Sequence, residues 1–110
     1  MDHIPLRKKL LEFVRYKGGN VSFVEFQNEF PEIKGNEDFG QLGFNLLFWP
    51  NVTIEFIETM NFLIKEGKLK FSPCEPLVYT IDGIYFNFPV AKDFKRYESL
   101  RWYPMVFSPL

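Results

Sequence analysis

The sequence has little cysteine, little histidine and no long apolar run. Its 110 residues contain one cysteine, Cys74, so no disulfide can form within the chain, which favours a reducing compartment. No apolar stretch approaches the ~18 residues that a membrane-spanning helix needs. Residues Met1 to Pro5 show no basic segment followed by an apolar run, so we predict no signal peptide and a cytoplasmic location.

Signatures of catalysis, metal binding and cofactor binding are also missing. His3 is the one histidine, and we expect it to be solvated near a frayed terminus rather than catalytic. Cys74 has no second cysteine and no nearby histidine, so neither a zinc site nor a Cys–His pair is easy to build. The glycines of residues 35–43 do not match a phosphate-binding loop. We therefore predict a protein that is no enzyme and holds neither cofactor nor metal.

Excess positive charge is lacking, whereas aromatic residues are abundant. The net charge is −1 and the sequence pI is about 5.8, although DNA-binding domains are usually strongly basic because phosphate neutralisation drives their affinity. Hydrophobic residues make up 46% and charged residues 25%, a balance typical of one globular domain. The sequence has 14 phenylalanines, and more rings than a small core can hold would leave some for a binding surface.

Three helices are predicted from hydrophobic spacing and from end signals. Apolar residues recur at helical spacing along each segment, and a capping box of Ser22 and Glu25 opens the second helix. A glycine or a proline follows each helix and stops it. The predicted helices cover residues 4–17, 23–30 and 53–66.

Strands are predicted mainly after the third helix. They cover residues 68–72, 77–81 and 84–88, and Asp82-Gly83 forms a two-residue hairpin turn between the last two. Residues 31–51 form a long connector that carries a short element of its own. We expect the connector to be anchored to the core by Leu46, Phe48 or Trp49. The predicted core consists of Leu10, Phe13, Phe26, Phe56, Met60, Leu63 and Val78.

The order of these elements indicates the fold class. Helix, short strand, helix, helix, strand, loop, strand is the order of a winged helix, so we predict an α+β fold with three helices and a small antiparallel sheet. The Asp-Gly turn adds a strand, which makes the wing a three-stranded meander. The winged-helix domain is assigned to residues 1–89. Residues 90–110 form an aromatic and basic C-terminal extension that packs on the domain or on a dimer mate.

Four stretches carry a resemblance to a known family. They are Tyr16 to Phe30 (YKGGNVSFVEFQNEF), Phe48 to Leu69 (FWPNVTIEFIETMNFLIKEGKL), Leu77 to Lys92 (LVYTIDGIYFNFPVAK) and Arg101 to Phe107 (RWYPMVF). In these stretches the chain resembles a family of short uncharacterised proteins from bacteriophages and staphylococcal pathogenicity islands. The resemblance covers most of the chain and implies an origin in a mobile genetic element of a Gram-positive host. It implies no activity and no site residues.

Charge divides unevenly along the chain and points to a partner class. Residues 1–23 and 59–71 are net basic, whereas residues 24–58 are strongly acidic. The predicted outer face of the third helix holds three carboxylates, which would repel DNA phosphate, and Phe62 among them suits a protein interface or a contact with the C-terminal tail. The predicted partner-binding residues are Glu55, Glu58, Asn61, Phe62 and Lys65.

Two functions follow from this charge pattern. The first is a non-catalytic interaction module that binds a host or phage protein and so regulates the mobile element. The alternative is a winged-helix protein that binds double- or single-stranded DNA through a basic, aromatic face, in regulation or replication of the element. The residues predicted for that face are Arg7, Lys8, Arg15, Lys68, Lys70, Lys95, Arg96, Arg101 and Trp102. A homodimer is compatible with both functions.

Overall fold

The computed structural model describes residues 3–84 and 86–110, which form an α+β arrangement of helices around two small sheets. The helices are α1 (Ile4–Lys17), α2 (Phe23–Glu29), α3 (Ile54–Lys65) and α4 (Leu77–Thr80). The strands are β1 (Lys34–Gln41), β2 (Leu46–Val52), β3 (Leu69–Pro73), β4 (Arg101–Trp102) and β5 (Met105–Pro109). Short 3-10 turns lie at Pro31–Ile33 and Leu42–Phe44.

The first three helices begin and end where the local sequence predicts. Gly18 caps α1 in the left-handed conformation, at φ +81°, which a side chain would disfavour. The capping box at α2 is formed: the Ser22 hydroxyl accepts from the Glu25 N–H at 3.2 Å, and the Glu25 carboxylate accepts from the Ser22 N–H at 3.1 Å. Thr53 caps α3 by accepting from the Phe56 N–H at 3.1 Å. The three predicted helices are confirmed.

The predicted connector after α2 is mostly a β-hairpin. Strands β1 and β2 pair antiparallel with several register shifts, which the sequence pattern did not indicate. Gly40 permits this pairing, because a Cβ there would collide with the backbone carbonyl of Leu46. Leu46, Phe48 and Trp49 are all buried, so the predicted anchoring of this segment to the core is confirmed.

The strand prediction after β3 is wrong. Residues 77–80 form the short helix α4, and residues 84 and 86–88 are not in a strand, while Tyr85 lies outside the described residues. The Asp82-Gly83 pair therefore closes no hairpin, and Gly83, at φ +78°, instead follows the turn after α4. Pro76 contributes to this outcome, since its fixed φ suits the start of a helix.

Tyr79 explains why this segment is helical. Its side chain is fully buried, and its hydroxyl accepts from the Phe23 N–H at 3.0 Å and donates to the Met105 carbonyl at 2.7 Å. The helical turn aims Tyr79 inward and leaves Val78 39% exposed. The placement of Val78 in the core is therefore wrong, because long-range hydrogen bonds select a backbone that the local residue pattern does not encode.

The C-terminal residues belong to both sheets. One sheet has the order β1-β2-β4, with β4 parallel to β2, and the other pairs β3 with β5 antiparallel. An isolated bridge joins Val21 to Phe107, so β5 lies between Val21 and β3. Trp102, Tyr103 and Phe107 are buried within the same chain.

The core is built largely from aromatic rings. Phe23 lies at its centre, stacked on Trp49 with ring centroids 5.5 Å apart and edge-on to Phe56 and Phe107 at 6.3 Å and 5.2 Å. Besides Val78, one other residue of the predicted core, Phe13, is only partly buried. The buried members are Leu10, Phe26, Phe56, Met60 and Leu63, as predicted.

Candidate functional sites

Helices α1 and α3 meet through a charged contact at the start of α1. The imidazole Nε2 of His3 lies 2.7 Å from Glu58 Oε1, and Nδ1 lies 3.5 Å from Glu55 Oε2. A carboxylate only accepts hydrogen bonds, so Nε2 donates to Glu58. The expectation of a solvated His3 is wrong: its side chain is 5% exposed, because the two carboxylates, one turn apart on α3, hold it against that helix.

Phe62 is covered by a cation from α1. The guanidinium carbon of Arg7 lies 3.5 Å from the centroid of the Phe62 ring, a close cation–π contact. The sequence predicts Arg7 on the nucleic-acid face and Phe62 on the protein face, but the structure brings the two side chains together. We call this group of five residues the α1–α3 clasp: His3, Arg7, Glu55, Glu58 and Phe62.

The remaining α3 candidates border the clasp. Asn61 and Lys65 are exposed, and with part of the clasp they line a shallow depression of 390 Å³. Its lining residues are His3, Arg7, Glu58, Asn61, Phe62 and Lys65. We call this depression the clasp pocket. Four of the five predicted partner-binding residues thus line it, and the fifth, Glu55, contacts His3 beside it.

A second surface forms where the chain before β4 crosses the β1–β2 turn. Tyr97 donates its backbone N–H to the Phe44 carbonyl at 3.0 Å, and the Asn45 side-chain amide donates to the Tyr97 carbonyl at 2.8 Å. Three cations lie over rings here: Lys95 and Arg101 over Tyr97 at 5.3 Å and 4.9 Å, and Arg96 over Phe44 at 5.4 Å. These contacts hold the cations along one surface.

Phe94 supplies accessible ring area beside these cations. It packs on the buried rings of Phe48 and Tyr103 and on Phe44 and Phe71, with centroids 5.5–6.2 Å apart, yet it stays 44% exposed. A ring that is anchored below and open above can stack with a flat ligand. We call this surface the aromatic-basic strip, and its residues are Phe44, Phe71, Phe94, Lys95, Arg96, Tyr97 and Arg101.

The two surfaces differ in how their charges are compensated. Among the described residues, ion pairs join Lys9 to Glu32 and Lys17 to Glu25, and the ring nitrogens of His3 lie within 4.0 Å of Glu55 and Glu58. No carboxylate of residues 3–84 or 86–110 lies within 4.0 Å of a cation of the strip. The cations of the strip are therefore free of ion pairs on a chain that is net acidic, although Asp93 and Glu98 in the same segment reduce the net charge of residues 93–101 from +3 to +1.

The other residues predicted for a nucleic-acid face lie elsewhere. Lys8 and Arg15 are exposed on α1, and Lys68 and Lys70 are exposed at the start of β3. Lys70 directly precedes Phe71 of the strip in β3, and no ion pair or cation–π contact of the described residues joins any of the four to the strip. The prediction that Trp102 lies on the nucleic-acid face is wrong. Its side chain is only 2% exposed and packs edge-on against Tyr79 and Phe86, so it offers no free face to a base.

Sequence reasoning missed several members of these surfaces. Phe94 and Tyr97 flank Lys95-Arg96 in the chain, so the alternation of rings and cations was a readable signal. Phe44 and Phe71 join them only through folding and had no signal of that kind. His3 was missed because its position near the start of the chain suggested solvation, whereas its partners lie more than fifty residues away.

A larger cavity of 740 Å³ lies beside Cys74. It is lined by Pro73, Cys74, Glu75, Pro76, Val90, Ala91, Lys92 and Pro104. Burial, with a smaller contribution from Glu75, raises the pKa of the Cys74 thiol to about 11. The thiolate is the reactive form, so this thiol is protonated and poorly nucleophilic near neutral pH. No histidine lines the cavity to act as its base.

Comparison with known proteins identifies no relative: no family model, curated protein or solved structure matches the chain. The resemblance to a family from phages and pathogenicity islands therefore stays a prediction. Within the described residues, no helix is both long and apolar enough to cross a membrane. In the same ranges, no three residues of the types His, Cys, Asp and Glu are grouped so that they could hold a metal ion.

Proposed function

We propose that this chain is a non-catalytic binding module of the winged-helix type, and that its aromatic-basic strip binds single-stranded nucleic acid. The observation that carries the proposal is the arrangement of Lys95, Arg96 and Arg101 over aromatic rings without a carboxylate partner. Single strands are held in this way, by a cationic track for the phosphates beside rings for the bases. With the family resemblance, this suggests a role in replication or regulation of a mobile element.

The arrangement of the strands supports the winged-helix interpretation. In a winged helix, the strand after the wing lies between the short first strand and the strand before the wing. Here β5 lies between Val21 and β3, and the helices follow the expected order. The strand after the wing is then β5 rather than residues 77–81, and the wing comprises the thirty or so residues between β3 and β5. This assignment is fold-level analogy.

The position of the strip supports a role for the wing. Lys95, Arg96 and Arg101 all lie between β3 and β5, in the segment that would be the wing. Helix α3, which reads the major groove in duplex-binding relatives of this motif, carries carboxylates that turn to His3 instead. The charge distribution thus favours contact through the wing and disfavours insertion of α3 into a groove.

Exposed ring area favours a single strand over a duplex. The edges of bases in a duplex are read by hydrogen-bonding side chains, whereas unpaired bases present flat faces that stack on aromatic rings. Phe94 is open to solvent, and Phe71 beside it is also partly exposed. These phenylalanines carry no hydrogen-bonding group, so we expect little sequence preference.

The test is a binding titration with fluorescent single-stranded DNA. We expect a dT oligomer of about 12 nucleotides to bind more tightly than a duplex of equal length. The double variant Lys95→Ala/Arg96→Ala should weaken binding at least about tenfold, and it should reduce the slope of log affinity against log salt by about 1.4, since two phosphate contacts are lost. Phe94→Leu should weaken binding by removing a stacking ring while it keeps the charge.

The matched control removes the same charge from another surface. Lys9→Ala/Lys34→Ala lowers the net charge equally, but both residues lie outside the strip, and Lys9 is paired with Glu32. We expect this variant to bind almost as the parent does. If both double variants weakened binding equally, affinity would reflect net charge alone, and the strip would not be the site.

Protein binding is the second candidate, because α4 presents apolar side chains to solvent. Leu77 and Ile81, on one face of this turn, are 65% and 75% exposed. Apolar groups clustered at a surface are typical of protein interfaces. Here Leu77→Ser/Ile81→Ser should abolish capture of a host or phage protein from nuclease-treated lysate, while Lys95→Ala/Arg96→Ala leaves it intact. If no protein were captured from nuclease-treated lysate, nucleic acid would remain the ligand, and capture lost only in Lys95→Ala/Arg96→Ala would place a protein on the strip.

A further inference from the structure

The clasp pocket combines hydrogen-bond donors from two helices. Arg7 comes from the second turn of α1, while Asn61 and Lys65, one turn apart on α3, complete the opposite side. The depression is open and, at 390 Å³, suits a small group rather than a buried cofactor. Its chemistry depends on which of its polar groups are already used.

Arg7 is held in place without using its N–H groups. Its guanidinium carbon lies over the Phe62 ring, 3.5 Å from the centroid, and a cation–π contact of this kind does not use the N–H groups as hydrogen-bond donors. The Nε atom of Arg7 is buried and has no hydrogen-bond partner. No hydrogen bond among the described residues uses the terminal N–H groups of Arg7, which lines the pocket, so these groups can donate to a ligand there.

The carboxylates of the pocket region are used by His3. Glu58 Oε1 accepts from His3 at 2.7 Å, and Glu55 Oε2 lies 3.5 Å from the other ring nitrogen. No carboxylate of the described residues lies within 4.0 Å of Arg7 or Lys65. Two cations and the Asn61 amide therefore face a pocket whose one carboxylate, that of Glu58, already accepts from an imidazole.

From this imbalance we infer that the clasp pocket binds a phosphate-type oxyanion, with Arg7, Lys65 and Asn61 as its donors. A guanidinium donates to two oxygens at once, an ammonium adds a point charge, and a side-chain amide adds a further donor. A phosphate has more acceptor oxygens than a planar carboxylate, so it can accept from all three of these donors at once. The inference is independent of the strip, because the pocket shares no residue with it.

The phosphate can be free or can end a nucleic-acid strand, and the experiment has an arm for each source. In the first arm, inorganic phosphate is titrated at constant ionic strength while backbone amide NMR signals are followed. We expect saturable shifts centred on Asn61 and Lys65. Lys65→Ala should weaken binding about tenfold, and Arg7→Lys, which keeps charge but loses the paired donors, should weaken it as well.

Lys8→Ala is the matched control, since Lys8 neighbours Arg7 in α1 but does not line the pocket. Thermal melts identify any variant that fails to fold, and if Arg7→Lys does, then Lys65→Ala and Asn61→Ala decide the outcome. Shifts that do not saturate, or equal weakening in Lys8→Ala and Lys65→Ala, would overturn the inference.

The second arm compares a trinucleotide with and without a 5′-phosphate. If a strand end is the source, the phosphorylated form should bind more tightly than inorganic phosphate, and Lys65→Ala should remove the gain. If the source is free phosphate, the terminal phosphate should add nothing beyond the affinity for inorganic phosphate. A gain from the terminal phosphate that persists in both Lys65→Ala and Arg7→Lys would place phosphate binding elsewhere and contradict the assignment.

Discussion

The α1–α3 clasp and the aromatic-basic strip are both built from cations and rings, but they use them differently. In the clasp, each acid of α3 faces His3, and Arg7 covers the ring of Phe62, so the groups hold two helices together. In the strip, three cations rest on rings and have no carboxylate partner among the described residues. The acids of the clasp thus contact His3, whereas Arg7 of the clasp and the three cations of the strip have no carboxylate partner among the described residues.

This difference separates a structural role from a binding role. Charges that are paired across two helices contribute to stability, although exposed pairs contribute little each. Charges kept apart from acids on a folded surface raise the local potential and attract an anionic partner. Substitutions of His3, Glu55 or Glu58 should therefore affect stability, whereas substitutions in the strip should affect affinity for single-stranded DNA, and the predictions below test this division.

The largest effect should come from the core beneath both surfaces. Phe56 is fully buried, and its ring contacts Phe23, Phe26 and Phe39. Phe56→Ala should reduce the free energy of unfolding by about 3–5 kcal/mol, because it leaves a cavity among rings that cannot collapse freely. Urea denaturation measures this, and Ile54→Ala, at an exposed position of α3, is the control. A loss below about 1 kcal/mol would show that the core is organised differently.

Tyr79→Phe should have the next largest effect. The substitution leaves the N–H of Phe23 and the carbonyl of Met105 without their buried partner. We expect a loss of about 2–3 kcal/mol, because burying an unsatisfied polar group costs roughly 1–3 kcal/mol. Urea denaturation of the variant measures the loss. Thr80→Val, at a neighbouring exposed residue of α4, should cost far less, and equal losses would mean that the hydroxyl contributes little.

Alkaline pH should weaken the fold through the same residue. Burial raises the pKa of Tyr79 far above its usual value, so the folded state keeps the phenol neutral where the unfolded chain ionises. Stability from this group is complete below pH ~10 and falls above it, by about 1.4 kcal/mol per pH unit. The difference in unfolding free energy between the parent and Tyr79→Phe should therefore shrink as pH rises from 9 to 11, on the order of this slope. If this difference in unfolding free energy did not change with pH, the raised pKa of the Tyr79 phenol in the folded state would be contradicted.

A smaller effect is expected in the clasp. His3→Ala removes the hydrogen bond to Glu58 and should reduce stability by about 1 kcal/mol, a modest value because the carboxylate is largely exposed. Thermal unfolding measures the change, and binding of single-stranded DNA serves as the second readout. If His3→Ala weakened DNA binding while the variant remained folded, the two surfaces would not be separate.

The strip should show the smallest effect on stability. Lys95→Ala/Arg96→Ala removes exposed charges that have no carboxylate partner, so the change should stay within about 0.5 kcal/mol. The same variant should lose at least about tenfold in DNA affinity. If this variant clearly lost stability but kept its affinity for DNA, the strip would have a structural role rather than a binding role.

Local sequence signals predicted the helices well and the rest of the chain poorly. Ser22 and Glu25 cap α2, and Gly18 ends α1, through contacts between residues at most four apart, so the pattern is sufficient. The alternating residues of 77–81 favoured a strand, yet Tyr79 is helical because it reaches Phe23 and Met105. Such contacts, which join distant parts of the chain, leave no periodic trace in the sequence.

The same distinction applies to the candidate sites. About half of the strip could be predicted from the sequence, because four of its residues are adjacent in the chain: Phe94, Lys95, Arg96 and Tyr97. Its other half depends on the β1–β2 hairpin, which brings Phe44 to Arg96. The helical spacing on α3 predicted a shared face for Glu58, Asn61 and Lys65. That spacing did not indicate that α1 would bring His3 and Arg7 to that face.

The sequence by itself determined the helices α1 to α3, the burial of the aromatic tail and the acidic character of the outer face of α3. Each depends on spacing, capping or hydrophobicity, which are properties of neighbouring residues. Only the tertiary structure decided that β5 would pair with β3, that residues 77–80 would be helical and that the aromatic tail would be buried within its own chain. These outcomes depend on competition among distant segments for the same backbone partners and core volume, and one aromatic segment cannot be distinguished from another before the chain folds.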